Sequence, residues 1–177
     1  MTRVVEQPRV KRFGLPEARQ LAGEIGHDKA ALRALVRKLF GDDVAVRKRA
    51  ADTARPVKDR DPGVLEKFAD ELAGLLESLP VEEVRTRWHL GLVVPRVAQT
   101  PTQRMRAARV MPLLAEDESN VVRCPAIEGL GTLALRDATL RDEADALVER
   151  FLWDGTPAMK CHARHTRKML AKKYGEQ

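Results

Sequence analysis

The stretch Val84–Ala98, VRTRWHLGLVVPRVA, decides the fold because its pattern of apolar residues recurs along the chain. Counted from Arg87, the positions three, four, seven and ten residues later hold Leu90, Gly91, Val94 and Val97. Residues at these intervals lie on one face of an α-helix. The stretch is therefore predicted to form a helix that buries this face.

Three other anchors give the same pattern or a weaker form of it. From Arg47 the four positions hold Ala50, Ala51, Ala54 and Val57. From Arg123 they hold Ala126, Ile127, Leu130 and Leu133. From Lys160 the pattern is degraded, because its four positions hold Ala163, Arg164, Arg167 and Leu170. The anchors lie 40, 36 and 37 residues apart, close to the period of solenoid repeats made of two helices.

A second register of the repeat is anchored on Arg85, which lies 38 residues from both Arg47 and Arg123. It would bury Trp88, His89, Leu92 and Pro95. This set makes a poorer core than the one counted from Arg87. The register anchored on Arg87 is therefore preferred.

The composition and the punctuation of the chain favour one all-α domain. The 177 residues are enough for a single core. Aromatic residues make up only 4% of the chain, so the core must consist of Leu, Val and Ala. With no strand pattern and with short loops, we predict a right-handed superhelix, or solenoid, of about four helix pairs. Its expected parts are a tail at 1–14 and a domain at 15–177 with repeats at 28–58, 61–98, 100–135 and 139–173.

Caps and turns mark the predicted helices. A short helix from Leu15 to about Ile25 is expected to cover the first end of the solenoid. Asp28 is a predicted N-cap, and Asp61 and Thr100 each precede a proline, as helix starts often do. The terminal helix is expected from about 157 to 173.

The net charge of +6 is unevenly distributed. Residues 1–60 carry +7, residues 61–154 carry −6 and residues 155–177 carry +5. Basic ends can contact nucleic acid or an acidic partner, and they can equally be solvated outer helices.

The two cysteines, Cys124 and Cys161, each follow an anchor. They are expected on neighbouring helices about 8–10 Å apart, too far for a disulfide. Since neither a signal peptide nor a membrane span is evident, we expect a cytoplasmic protein.

The recurring Val-Arg-x-x-Ala-Ala pattern resembles that of the HEAT-repeat proteins, which have an armadillo-type fold. Val46 and Val122 begin two copies of it. Asp117 and Asp154 lie six residues before Arg123 and Lys160, as in that family's ladder of acids and arginines. In the second repeat Thr86 replaces the valine and Val81 occupies the position of the acid.

Three shorter stretches resemble one group within the HEAT-repeat proteins. RWHL at 87–90, PRV at 95–97 and GTPAM at 155–159 are similar to a set of small bacterial HEAT-repeat proteins of unassigned activity. This resemblance implies the fold and leaves the function open.

The leading functional hypothesis is a non-catalytic module that binds a protein partner on its concave face. Trp88 and Leu92 make an apolar pair where the equivalent residues of the first repeat are polar, and exposed apolar anchors beside arginine are typical of binding sites. An alternative is that Trp88 packs against a neighbouring helix. The predicted partner-binding residues are Arg49, Trp88, His89, Leu92 and Arg96.

The second hypothesis is nucleic-acid binding at the two basic ends. Lys160, Arg164, Lys168 and Lys172 follow at four-residue steps and line one side of a helix. The predicted nucleic-acid-binding residues are Arg47, Arg49, Arg164, Lys168 and Lys172. Solvation of the helix is the alternative for these side chains, and for the anchor arginines it is an ion pair with a turn acid.

An enzyme is a third and less favoured hypothesis. DNA alkylation glycosylases also consist of HEAT-like repeats and use Trp, Asp and Arg in a basic groove, but only Trp88 with Arg87 matches this set, and no acid is evidently beside them. No phosphate loop or nucleophile with a base is present, and Cys161 with His165 is too small a set for a structural zinc. We therefore expect no cofactor or metal, no membrane partner, and a monomer or weak homodimer.

Overall fold

The structure is a computed structural model that describes residues 13–175. This part of the chain is entirely helical, with two short 3₁₀ helices at Pro62–Phe68 and Ala138–Leu140 and no strand. Its nine α-helices are α1 Leu15–Ile25, α2 Lys29–Leu39, α3 Val44–Arg60, α4 Ala69–Ser78, α5 Val84–Val97, α6 Pro101–Ala115, α7 Asn120–Ala134, α8 Arg141–Asp154 and α9 Pro157–Tyr174. The prediction of an all-α domain is confirmed for these residues, and the predicted tail lies mostly outside them.

The odd-numbered helices pack in a row in chain order. Helix α1 contacts α3, α3 contacts α5, α5 contacts α7 and α7 contacts α9. The even-numbered helices pack onto this row, with α2 against α3, α4 against α5 and α6, α6 against α7, and α8 against α9. Each predicted repeat thus consists of one even-numbered helix and the odd-numbered helix that follows it.

The apolar face predicted from Arg87 is the buried face of α5. Leu90, Val94 and Val97 are fully buried, and Gly91 is buried between them. The equivalent faces of α3 and α7 are buried in the same way. One continuous core of mainly Leu, Val and Ala therefore runs through all the repeats.

The last repeat departs from the predicted face. Arg164 and Arg167, which the count from Lys160 placed there, are exposed. Helix α9 instead buries Met159, Ala163, Thr166 and Leu170, a stripe spaced by four, three and four residues. The cause is that α9 has no tenth helix beyond it in the described chain, so it buries only the side facing α7 and α8.

The predicted caps are present with their hydrogen bonds. The carboxylate of Asp28 accepts bonds from the amides of Ala30 and Ala31 at 2.7 and 2.8 Å. Thr100 forms a capping box with Gln103. One boundary differs from the prediction: the segment after Asp61 is a 3₁₀ helix that becomes α-helical only at Ala69.

In the described residues, no helix is both long and apolar enough to cross a bilayer.

Candidate functional site

Ion pairs link the first three predicted repeats through the anchor arginines Arg47 and Arg87. The guanidinium of Arg47 on α3 binds both carboxylate oxygens of Glu83, the residue before α5, at 2.9 and 2.5 Å. Arg87 on α5 forms an ion pair with Asp117, in the turn before α7, through Nη1 and Oδ2. The hydrogen bond from Arg47 lowers the pKa of Glu83 and the same contact raises the pKa of Arg47. Glu83 is therefore the charged partner of Arg47. The side chains of both ion pairs are largely buried.

The acid of the second repeat lies two residues after the predicted position. Val81, which occupies that position in the sequence, is exposed, and Glu83 supplies the carboxylate instead. Arg47 was a predicted nucleic-acid-binding residue, with an ion pair to a turn acid as the alternative. The structure has the ion pair, to Glu83, and the guanidinium is largely buried. The series stops at Arg123, whose buried Nε has no hydrogen-bond partner among the described residues.

Three of the predicted partner-binding residues follow one another along α5. Trp88, Leu92 and Arg96 lie on successive turns; the first two are half-buried and Arg96 is exposed. The guanidinium of Arg55, from the neighbouring α3, lies over the Trp88 ring at 5.7 Å from its centroid, within the range of a cation–π interaction. We call these four residues the Trp88 surface.

A buried polar cluster lies directly beneath the Trp88 surface. The ring of His89 meets Trp88 edge-on, with centroids 4.5 Å apart. Its Nε2 is 3.4 Å from Oδ1 of Asp52 on α3, and that same oxygen accepts a 2.8 Å hydrogen bond from Nε of Arg85. Asp52 and His89 have almost fully buried side chains, whereas Arg85 is half-exposed. The cluster therefore joins α3 to α5 below the indole.

Burial keeps His89 neutral. The pKa of His89 is lowered from 6.5 to about 4, mainly by desolvation and in addition by the charges of Arg55 and Arg85, while the carboxylate of Asp52 opposes the shift. Neither ring nitrogen forms a hydrogen bond with a residue that the structure describes. We predicted that His89 contacts a partner, but its burial places it under the surface, where it supports Trp88.

Arg49 is not part of the Trp88 surface. It is exposed on α3, but it lines a separate apolar groove of about 400 Å³ formed with α1 and α2. The reason is helical phase, since Arg49 and Arg55 are six residues apart and project about 120° from each other around the axis. The structure thus brings together Trp88, Leu92 and Arg96 and separates Arg49 from them.

Sequence reasoning missed Arg55, Asp52 and Arg85. Arg55 contacts Trp88, Asp52 contacts His89, and Arg85 is bound to Asp52. Asp52 lies one turn before Arg55 on the same helix, so the polar flank of α3 was visible in the sequence. The pairing across to α5 was not, because it depends on how the two helices are rotated against each other.

The basic end of the chain forms a second charged feature. Arg164, Lys168 and Lys172 are exposed on α9, and none is in an ion pair with any residue that the structure describes. They line an open hollow of about 900 Å³ between α8 and α9. Two other arginines of this hollow, Arg141 and Arg167, are paired with carboxylates of α8. The predicted row of cations on one side of α9 is therefore present.

The cysteines and histidines of α7 and α9 are not assembled into a metal site. Cys124 and Cys161 are free thiols, and burial raises the pKa of Cys124. His162 contacts Glu128 across the two helices, with Nδ1 2.5 Å from the carboxylate. Over residues 13–175 no group of three or more metal-binding side chains is found.

A scan against models of known protein families, a search of curated proteins and a search of solved structures find no match to this chain. The family resemblance of its repeats stays a prediction.

Proposed function

We propose that this protein is a non-catalytic interaction module of the HEAT-repeat type and that it binds a protein partner over the Trp88 surface. The observation that carries the proposal is Trp88 itself, a half-buried indole that contacts the guanidinium of Arg55 and the ring of His89. In a right-handed solenoid of helix pairs, the row of odd-numbered helices would form the concave face, with the Trp88 surface at its centre.

The rigidity of Trp88 supports this role. Anchor residues at interfaces are typically aromatic side chains or arginines that are fixed before binding, because ordering a free side chain costs about 0.5–1.5 kcal/mol. The indole is fixed by Arg55 and by the cluster of His89, Asp52 and Arg85. It can therefore be covered by a partner at little cost in side-chain entropy.

The surrounding charges indicate the chemistry of the partner. Arg55 and Arg96 belong to the Trp88 surface, and Arg85 lies beside it, bound to the buried Asp52. The one carboxylate that lines a hollow with Leu92 and Arg96 among the described residues is Glu128 of α7, which contacts His162. A complementary partner would present an apolar side chain flanked by carboxylates. Such charge complementarity raises the association rate and excludes basic partners.

The burial of Asp52 bears on the catalytic alternative. It is the acid that the sequence did not reveal near Trp88, and its carboxylate is directed at Arg85 and His89 rather than at solvent. A carboxylate held in this way is better suited to fixing an indole than to contacting a DNA base. The only support for the base-excision alternative is that Trp, Asp and Arg residues occur together here. Release of bases from methylated DNA would test it.

The test of the proposal compares two tryptophans. Purified wild type, Trp88→Ala and Trp153→Ala are used to capture proteins from the native cell extract, followed by quantitative mass spectrometry. Trp153 is the matched control because it is 88% exposed on α8 and outside the proposed surface. We expect a partner retained by wild type and Trp153→Ala and lost by Trp88→Ala. Equal retention by all three proteins, or equal loss from both variants, would reject the Trp88 surface as the binding site.

Nucleic-acid binding by α9 is the second candidate, favoured by the exposed row of Arg164, Lys168 and Lys172, which form no ion pair within residues 13–175. Cations of this kind give affinity through the release of counterions from phosphates. The same groups would be found on a solvated terminal helix, and for this reason we rank this candidate below the first.

A further inference from the structure

A second hollow lies where the ends of three odd-numbered helices meet. It measures about 380 Å³ and opens to solvent at the C-terminal ends of α3, α5 and α7. Its polar lining consists of Lys58, Asp59, Arg96, Gln99, Thr132 and Arg136. Only Arg96 belongs also to the Trp88 surface, and neither hypothesis for the function uses the other five residues.

The hollow concentrates positive charge. Lys58, Arg96 and Arg136 face one carboxylate, Asp59, which lies 2.5 Å from the Lys58 ammonium. The C-terminal ends of α3, α5 and α7 each contribute the equivalent of about half a negative charge. About half a positive charge is therefore left without a counter-charge among the lining groups.

The titration behaviour of two of these cations is consistent with crowding. Burial lowers the pKa of Lys58 against the opposing effect of its contact with Asp59, and the charges of Arg96 and Arg55 lower it further. Burial also lowers the pKa of Arg136, followed by the charge of Arg104. A bound anion would relieve this repulsion.

Arg136 is held in place by neutral groups, and Lys58 by its ion pair with Asp59. Arg136 donates hydrogen bonds to the carbonyl oxygen of Ala98 at 3.0 Å and to Oε1 of Gln99 at 2.7 Å. Lys58 has only 5% of its side chain exposed. These contacts orient Arg136 and Lys58 without neutralising Arg136, so the site is built before any ligand arrives.

We propose that this hollow binds a phosphate group, through Lys58 on α3, Arg96 on α5, and Thr132 and Arg136 at the end of α7. Four donors from three helices suit the three terminal oxygens of a phosphate monoester better than the two oxygens of a carboxylate. The volume of about 380 Å³ also admits a phosphate with a small attached group. The proposal stands independently of a partner at Trp88.

The test is a titration with inorganic phosphate at constant ionic strength, followed by the backbone amide resonances in NMR spectra. We expect saturable shifts around Lys58, Arg96 and Thr132 and smaller ones elsewhere. Replacing Arg96 by Gln removes one charged hydrogen-bond donor and should weaken binding about tenfold. Arg109→Gln is the matched control, since Arg109 is exposed on α6 and has no ion pair among residues 13–175.

Further arms separate the alternatives. Lys58→Met should also weaken binding, and Trp88→Ala should leave it unchanged, which separates this site from the proposed partner surface. Acetate should bind more weakly than phosphate. A phosphoserine peptide and a sugar phosphate distinguish a modified partner from a small ligand, and tighter binding of either one than of free phosphate would support the site. Shifts that do not saturate, or equal affinity in Arg96→Gln and Arg109→Gln, would overturn it.

Discussion

The buried imidazole of His89 makes the free energy of unfolding depend on pH. Its pKa is about 4 in the folded protein against 6.5 for an ordinary histidine. Between these values the unfolded chain binds a proton that the folded one does not, so the free energy of unfolding falls as the pH falls from 6.5 towards 4. The expected slope is at most about 1.4 kcal/mol per pH unit.

Urea unfolding of wild type and His89→Gln between pH 7.5 and 4.5 measures this effect. We expect the wild type to lose stability over the range and the variant to lose less, because a glutamine side chain does not titrate. The lowered pKa of Glu83 acts only as the pH falls below 4.5, so it does not mask the difference. Identical slopes in the two proteins would show that His89 is not buried in the neutral form.

At the same scale, the burial of individual residues was only partly predictable. The sequence identified Trp88 because an indole stood where other repeats have polar or small side chains. It could not show that His89, the next residue, lies beneath it, because an imidazole is compatible with either side of α5. The decisive partner, Asp52, is 37 residues away on α3. Such a contact depends on the rotation of one helix against the next.

The close approach of helices depends on glycines. A Cβ atom at Gly91 would lie 2.8 Å from Cβ of Pro125, and one at Gly129 would lie 2.7 Å from Cγ of Pro95. In each case a glycine of one helix faces a rigid proline ring of the other, so α5 and α7 can approach closely. An added methyl group must push the two helices apart.

We expect Gly91→Ala and Gly129→Ala each to lower the free energy of unfolding by about 1–3 kcal/mol, the usual cost of overpacking. Gly74→Ala is the control, because its Cβ would meet only the mobile end of Arg106 at 3.3 Å. This control should be neutral or gain up to about 1 kcal/mol from helix propensity. Chemical denaturation of wild type and the three variants measures these changes in the free energy of unfolding. A stabilised Gly129→Ala would contradict the close packing.

The ion pairs between repeats also act at the level of elements. In Arg87→Met the carboxylate of Asp117 would stay buried without its partner, which we expect to cost about 3 kcal/mol. The double variant Arg87→Met/Asp117→Leu should recover much of this loss, because no charge is left buried. Arg49→Met, which removes an exposed arginine, should change the stability by less than about 0.5 kcal/mol. Equal losses for Arg49→Met and Arg87→Met would mean that the Asp117 pair has no structural role.

Helix boundaries followed from local chemistry wherever a cap was present. The starts of α2 and α6 at Asp28 and Thr100 agree with prediction because a side-chain oxygen there satisfies free backbone amides. The acid of the second repeat was misplaced because no such local rule fixes it. Glu83 rather than the residue at 81 reaches Arg47, and the turn before α5 determines that choice.

For the molecule as a whole, the distribution of charge separates two modes of binding. Positive charge lies around the Trp88 surface and along α9, and these regions involve different helices. A protein partner at Trp88 predicts that changes on α9 leave its binding intact. If the protein binds nucleic acid through α9, changes on α9 should weaken binding and Trp88→Ala should not.

We expect duplex DNA to bind weakly at about 50 mM salt and with equal affinity to two triple variants that remove the same charge. One is Arg164→Ala/Lys168→Ala/Lys172→Ala on α9. The other is Arg33→Ala/Arg37→Ala/Arg109→Ala, which changes exposed arginines of α2 and α6. A salt series read by fluorescence anisotropy compares them. Selective loss of binding and a shallower salt dependence in the α9 variant would favour nucleic-acid binding over our leading proposal.

The most direct measurement is site-specific photo-crosslinking in the native cell. A photoreactive phenylalanine derivative replaces Leu92 on the Trp88 surface or, as a control, Leu113, which is 51% exposed on α6. The proposal predicts one adduct of defined mass from position 92, none from position 113, and loss of the adduct when Trp88→Ala is added. An adduct from position 113 alone, or one from position 92 that survives Trp88→Ala, would contradict it.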